Sequence, residues 1–418
     1  MKILRRGSLV AAGLLLLAAS VAPAGAAQDD NGRVLYEARG TDSAQRTAIA
    51  RSGADIWGTS DGVTTFSASA ALAKSLQAKG IDVERVGDVE DLLAERNPDM
   101  ATSADEFPAG DEGYHTYGEL TEVLQRADSE HGDIASLSSA GSSYQGRALH
   151  LMKISDNVAQ DEDEPEVLFT CNQHAREHLT TEMCLRIVER FTDEYGTDPT
   201  VTELVNTREI YVIPSVNPDG SEYDIEGGRY KGWRKNRQGY YGTDLNRNWG
   251  YKWGCCGGSS GSPYSDTYRG TSAFSAPETR AVASFVGSRV VGGTQQIKAH
   301  IDFHTYSELV LWPYGYTYSD TTDTMSQEEA RRFQEVGRKL AASNGYTPQQ
   351  SSDLYITDGS VNDWMWAEHG ILSLTFEMYP ASGGGIGGFY PPDERIAPET
   401  QRNDEAVDIL LTEAGAQP

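Results

Sequence analysis

Residues 171–179 read CNQHAREHL, with His174, Arg176, Glu177 and His178 crowded between two apolar stretches. Upstream lies EVLFTC, a short apolar run ending at Cys171 that reads as a buried strand. Downstream, TEMCLRIVERFTDEYG sets Cys184, Ile187, Val188 and Phe191 at i, i+3, i+4 and i+7, the apolar stripe of an amphipathic helix. Strand, loop and helix in that order make one unit of a mostly parallel α/β sheet. Such sheets place ligands beyond the carboxyl ends of their strands. The polar cluster falls at that point.

His174 and Glu177 stand three residues apart, and an imidazole with a carboxylate is a standard zinc pair. A catalytic site wants three protein ligands and one open position, so a third ligand must come from elsewhere. HAREH also matches H-x-x-E-H, in which both histidines bind zinc and the glutamate is the base. That pattern needs one continuous helix, whereas the apolar stripe here starts only near Met183. A loop presenting His174 and Glu177, with His178 as a neighbour, fits better. The spacing alone leaves both readings open.

Further along, HLMKIS, REIYVIPSVN, KAHIDFHTYSELVLWPYGY and ILSLTFEMYP read as strands, and GELTEVLQRADSEHG and ETQRNDEAVDILLTEAG as helices. The expected fold is therefore α/β, a mixed and mostly parallel central sheet with helices on both faces, over residues 106–418. A smaller unit precedes it. Residues 33–96 alternate strand-like and helical segments as β-α-β-β-α-β, with Ser60-Asp61-Gly62 as a turn, and suggest an antiparallel sheet covered by two helices. AERNPDMATSADEFPAGDEG then reads as an exposed, protease-sensitive linker. Residues 1–26 carry Lys2, Arg5 and Arg6, an apolar run from Leu9 to Val21, and Ala24-Gly25-Ala26, the pattern of a secretion signal too short for a good membrane span. The formal net charge of −27 argues against nucleic acid or an anionic membrane as partner. A secreted, extracellular protein is the expectation. Among 418 residues only four cysteines occur, Cys171, Cys184, Cys255 and Cys256, which allow three pairings and contain no CxxC motif.

His304 in IDFHTYSELVLWPYGY closes another strand, and VNPDG, WRKNR, GTDLNRNW and SLTFEMYP follow the same order along the chain. With these motifs the chain resembles the zinc metallocarboxypeptidases typified by carboxypeptidase A, most closely the bacterial secreted branch called carboxypeptidase T. The resemblance runs from about Tyr114 to the final helix, and residues 27–105 look like that family's inhibitory propeptide. It implies one zinc ion held by His174, Glu177 and His304, with His178 outside the ligand set. Glu377, an acid inside an apolar strand, matches the catalytic carboxylate that handles the proton of the attacking water. Arg234 matches the arginine that stabilises the oxyanion. Asn246 and Arg247 match the clamp on the substrate's terminal carboxylate, Tyr355 the tyrosine that closes over the substrate, and Arg176 a secondary subsite arginine. Leu311, Thr357, Ser360 and Asn362 would line the specificity pocket. Carboxypeptidase B has a carboxylate at the place of Asn362, and carboxypeptidase T at the place of Ser360. Neutral residues at both imply a preference for apolar or aromatic C-terminal residues, although Asp358 is near enough in sequence to reach in.

The resemblance also implies a Cys171–Cys184 disulfide, leaving Cys255 and Cys256 as an adjacent pair. Asp156, Asp161, Glu162, Asp163, Glu164 and Glu166 fall within eleven residues, a solvated acidic loop or, as in the look-alike branch, a structural calcium site. The implied protein is a secreted zymogen, a monomer acting on peptide and protein C-termini after an activating protease removes its propeptide. Two alternatives stand beside it. An amidase or cell-wall peptide hydrolase would lack the set Arg234, Asn246, Arg247 and Tyr355, and a catalytically dead binding module would have lost one of His174, Glu177, His304 or Glu377.

Overall fold

The computed structural model describes residues 33–97, 106–382 and 384–416. The expected secretion signal and residues 98–105 of the expected linker lie outside the described residues; the linker is shorter than expected, since Ala94–Arg96 complete the helix Val89–Arg96 and Phe107 and Asp111 are buried. Among the described residues no helix is long and apolar enough to cross a membrane.

The N-terminal unit contains β1 (Val34–Arg39), β2 (Asp55–Ser60), β3 (Val63–Ala68) and β4 (Val83–Asp88), joined by helices Ser43–Arg51 and Ala70–Ala78 and followed by helix Val89–Arg96. All pairings are antiparallel, in the order β2-β3-β1-β4. The β2–β3 hairpin turns through Asp61 (φ 51°) and Gly62 (φ 74°), the two positive values that a two-residue hairpin loop of this hand requires. Alternation decides what each face meets. Val34, Tyr36, Ala38, Ile56 and Phe66 bury against the two helices in a small core of their own. Leu35 and Trp57, on the opposite face, join the core of the large domain. Asp55 shares that face with Trp57, so period two alone aims a carboxylate at the large domain.

The large domain carries β5 (Ala135–Ser142), β6 (Ala148–Ile154), β7 (Glu166–Cys171), β8 (Glu209–Ile213), a short pair β9 (Val290–Val291) and β10 (Thr294–Gln295), then β11 (Ile297–Thr305), β12 (Leu309–Trp312), β13 (Thr347–Gln350) and β14 (Leu372–Met378). Eight of these form one sheet in the order β13-β12-β14-β11-β7-β8-β6-β5. The centre, β14-β11-β7-β8, is parallel, and antiparallel pairings join β12 to β14 and β6 to both β8 and β5. Both faces are covered, which is why the central strands are apolar on both sides. Val167 and Phe169 of β7 pack with Met183, Ile187 and Leu410 of helices His178–Asp193 and Asp404–Gly415. Leu168 packs on the other face with Val282 and Met365 of helices Pro277–Ser288 and Val361–His369. The architecture is the mixed, mostly parallel α/β sheet expected, with a small α+β unit ahead of it.

Both cysteine pairs are bonded, Cys171 to Cys184 and Cys255 to Cys256. The first ties the end of β7 to the helix that follows. Two ends of the small unit are also anchored. Arg33 donates to the carbonyls of Lys231 and Gly232, while Arg96 pairs at 2.5 Å with buried Asp111 and also donates to Tyr390 O. Asn97 exchanges hydrogen bonds with the backbone of Tyr230.

Candidate active site

β7 ends at Cys171, and Asn172 turns the chain with a positive φ of 57°, a conformation asparagine tolerates better than most residues. Its amide is satisfied on both ends, accepting from Ser215 Oγ and donating to the carbonyls of His174 and Ala175. The loop is thereby held open, and helix His178–Asp193 begins only after Glu177, whose own backbone is not helical. His174 and Glu177 therefore project from a strand-end loop. His304 comes from the end of β11.

These three side chains converge. His174 Nδ1 lies 2.9 Å from Glu177 Oε1, His304 Nδ1 lies 2.9 Å from Glu177 Oε2, and the two Nδ1 atoms are 3.0 Å apart. Each imidazole turns its other nitrogen to a carboxylate, His174 Nε2 to Asp244 at 3.2 Å and His304 Nε2 to Asp302 at 2.5 Å. Carboxylates behind the rings fix Nδ1 as the inward-facing donor, the usual support of a metal-binding histidine. Two nitrogens and a carboxylate with open space beyond them suit zinc, and the donor set fits that ion. His178 is elsewhere. Its Nε2 meets Asp224 Oδ2 at 2.9 Å, its Nδ1 faces Ser221, and its ring packs edge-on against Phe107.

The cleft beside this cluster is lined by Arg234, Asn246, Arg247, Leu311, Tyr355, Thr357, Ser360, Asn362 and Glu377. Glu377 sits opposite His304 in the β11–β14 register. Desolvation in the cleft pushes its carboxyl up to about 7, with Glu177 adding to the rise and His304 and Arg234 opposing it. Arg234 is buried, which works against its charge, yet Asp244 and Asp55 outweigh that and hold it firmly cationic. It donates through Nε and Nη2 to Asp244 Oδ2 at 3.1 Å each. Arg247 is held by the carbonyls of Asn246 and Gly258. Arg176 is not among the residues lining this cleft but lies behind its rim, fully buried over the Phe389 ring, with Nε and Nη1 lacking any partner.

A segment of the small unit closes the cleft. Asp55 Oδ2 accepts from Arg176 Nη2 at 2.8 Å, and Asp55 Oδ1 is 4.0 Å from Arg234 Nη1. Burial raises the Asp55 carboxyl, but the two guanidinium groups prevail and hold it below the usual range. Ile56, Trp57 and Gly58 line the same cleft. Gly58 comes so close that an added Cβ would lie 2.6 Å from the Tyr306 ring. Helix Ser43–Arg51 grips the Tyr355 loop through Arg46, which donates to the carbonyls of Asp353 and Leu354, and through Thr47 Oγ1, which accepts from Ile356 N.

Asp358 does not reach the pocket. It is fully buried and accepts hydrogen bonds from Cys256 N, Gly258 N and the Ser259 hydroxyl, so the glycine-rich loop with the adjacent cysteines takes its charge. The acidic run separates into two groups. Asp156, Glu162 and Glu164 converge, each with one oxygen lacking a partner, and burial together with the other two carboxylates pushes Glu164 up to about 7. Asp161 and Glu166 instead bind the Arg289 guanidinium, alongside Glu209 and its partner Lys153. Asp244, Asp302 and Asp55 were missed in the sequence. The first two were detectable, since Asp302 precedes His304 by two on one strand face and Asp244 opens the DLNR motif.

Donor set, cleft and sheet together have the form of a metal-dependent α/β hydrolase. Residues 120–406 match the family model described as zinc carboxypeptidase. A zinc carboxypeptidase of Saccharothrix mutabilis subsp. capreolus is 49% identical over 99% of this chain and 98% of its own length. Human carboxypeptidase B2 is 31% identical over 77% of this chain and 75% of its own. Among solved structures, carboxypeptidase A from Helicoverpa armigera superposes with a TM-score of 0.74 at 23% identity, covering 92% of this chain and 98% of that one. Thrombin-activatable fibrinolysis inhibitor gives a TM-score of 0.71 at 26% identity, covering 93% and 100%. The chain belongs to the zinc carboxypeptidase family, and it is a hydrolase acting on peptides.

Proposed function

We propose that this chain is the zymogen of a secreted carboxypeptidase that removes neutral apolar or aromatic residues from peptide C-termini. The observation that carries the reading is one cleft holding His174, Glu177 and His304 beside Glu377, Arg234, Asn246 and Arg247. When bound by the first three, zinc supplies Lewis acidity that activates water and polarises a carbonyl. Glu377 takes a proton from the attacking water and returns it to the leaving amine, a task suited to a carboxyl whose affinity for protons is raised toward neutrality. Arg234, aimed by Asp244, stabilises the charge that develops on the scissile oxygen. Arg247 and Asn246 receive the terminal carboxylate, which confines attack to the last peptide bond. Tyr355 closes over the bound residue once its loop is free.

The small unit, residues 27–105, acts as the inhibitory propeptide. Asp55 offers Arg176 and Arg234 a carboxylate in place of the acceptor oxygens they would otherwise take from substrate, and the segment 55–58 fills the approach. An activating protease would cut so that the mature chain begins near Asp105 to Pro108. A calcium ion, if bound, would sit among Asp156, Glu162 and Glu164, where three carboxylate oxygens lack partners, since Arg289 already neutralises Asp161 and Glu166.

The test compares matched peptides with a free and an amidated C-terminus, with and without a chelator. Chelator-sensitive cleavage of the free acid alone is expected. Equal cleavage of the amide would favour an amidase or endopeptidase.

A further inference from the structure

β7, β11 and β14 lay a polar stripe across the middle of the sheet, from the His304 ring to the floor of the specificity pocket. Thr170 lies opposite Asp302, Ser373 opposite His300, and Thr375 opposite Asp302 in the strand register. Every member is buried, and the groups touch in sequence.

The direction of each hydrogen bond follows from counting protons. Asp302 receives His304 Nε2, Gln173 Nε2 and the Thr170 hydroxyl, the last at 2.6 Å. A hydroxyl has one proton, and Thr170 has given its own to Asp302. Thr170 Oγ1 must therefore accept from His300 Nε2, 2.8 Å away, so Nε2 carries the ring proton. His300 Nδ1 lies 2.7 Å from Ser373 Oγ. Both ring neighbours are neutral hydroxyls in a fully buried site, so a second ring proton there would have no counter-charge in direct contact. Desolvation pushes His300 down to about 4, with His304 adding to the fall and the Asp302 carboxylate beyond Thr170 opposing it. Nδ1 is then a bare acceptor, and it takes the single Ser373 proton.

That leaves Ser373 nothing to give Asn362. Asn362 Oδ1 faces Ser373 Oγ at 2.8 Å, while Nδ2 faces Thr375 Oγ1 at 2.6 Å. The two ends of an amide are alike in shape, and a half-turn satisfies every group. Nδ2 then donates to Ser373 Oγ, and Oδ1 accepts from the Thr375 hydroxyl.

Building on the carboxypeptidase reading, we propose that His300 and Ser373 are positioning residues that turn the Asn362 amide oxygen to the pocket. Asn362 Oδ1 and the lone pairs of Thr375 Oγ1 then form a floor that accepts hydrogen bonds. The substrate class this selects is a C-terminal residue whose uncharged side chain donates at its tip, in preference to one that only accepts.

The experiment uses the active, zinc-loaded enzyme and three matched N-acyl dipeptides ending in phenylalanine, 4-aminophenylalanine and 4-cyanophenylalanine. The donor-tipped amino compound should exceed the acceptor-tipped cyano compound in kcat/KM by about tenfold, the size of one hydrogen bond gained against one left unmade. Ser373→Ala frees the amide, and the ratio should fall below about twofold. In the unmodified protein, nitrogen NMR of labelled histidine should show His300 neutral with the proton on Nε2, its signals assigned by their loss in His300→Asn. A ratio of one or less in the parent enzyme, or a ring protonated on Nδ1 at neutral pH, overturns the proposal. Failure to hydrolyse any of the three peptides would defeat the carboxypeptidase reading instead, and the histidine signals would still decide the relay.

Discussion

Replacing Asp55 with asparagine should awaken the uncut zymogen. Arg176 is fully buried, two of its donor nitrogens have no partner, and Asp55 at 2.8 Å supplies its counter-charge. Removing one partner of such a pair costs about 3–5 kcal/mol, because the remaining charge is stranded. An asparagine oxygen still accepts one hydrogen bond, so about 3 kcal/mol is the appropriate figure. The cost falls on the closed form alone, since water solvates both arginines once the segment 55–58 lifts away. The open fraction should then rise roughly a hundredfold, up to the ceiling set by the mature enzyme. The assay is the initial rate of purified zymogen, shown intact by mass, against an N-acyl dipeptide and normalised to the mature enzyme's rate. Glu84→Gln, at an exposed carboxylate of the same unit, serves as the control and should stay silent. If Asp55→Asn is as inactive as its parent while both melt at the same temperature, the carboxylate is not the inhibitory contact.

Other outcomes test the centre itself. His304→Ala should abolish stoichiometric zinc binding and hydrolysis together, whereas His178→Ala should retain zinc and lose about 1 kcal/mol of stability, because Asp224 loses one donor but keeps Trp233 N and the Tyr390 hydroxyl; metal analysis and thermal melts separate the two. Glu377→Gln should keep zinc and lose at least about 10²–10⁴ in kcat, as expected for a general base, and retained activity would remove it from the mechanism. Substrates ending in Leu or Phe should surpass those ending in Arg or Lys, because Asp358 is consumed by the 256–259 loop and, among the described residues lining the cleft, the only carboxylates are Glu177 and Glu377 of the catalytic centre. Equal or better kcat/KM for Arg would refute that reading.

What could be read in advance follows from how far each signal extends along the chain. The sheet was legible because strand length, apolar runs and the 3.6-residue stripe are local. The His174–Glu177 pair was legible because it falls where a strand stops before its helix starts, and His304 because it ends another strand. Asp55 was not legible, since its partner Arg176 is 121 residues away and nothing in DIWGTS marks one carboxylate as different. Asp358 misled for the opposite reason. It is adjacent to the pocket in sequence, but backbone amides of a distant glycine-rich loop claim it. The acidic run looked uniform until Arg289, at the end of the distant helix Pro277–Ser288, divided it.

For the proposed zymogen, the anchoring of the small unit's last helix has a kinetic consequence. Arg96 on Asp111 and Asn97 on Tyr230 hold that helix just before the expected cut, and Arg33, Arg46 and Asp55 hold the rest. None of these contacts is covalent, and none lies in the segment to be cut. On the proposed reading, severing the chain would convert an intramolecular inhibitor into a tightly bound separate one, whose extent of release depends on dilution and not on the protease. Activity should lag behind cleavage, and the fraction of enzyme finally active should rise as the mixture is diluted. Liberated small unit added back should silence the cut enzyme in trans, and on the proposed reading high local concentration would keep the enzyme quiet until diffusion arms it.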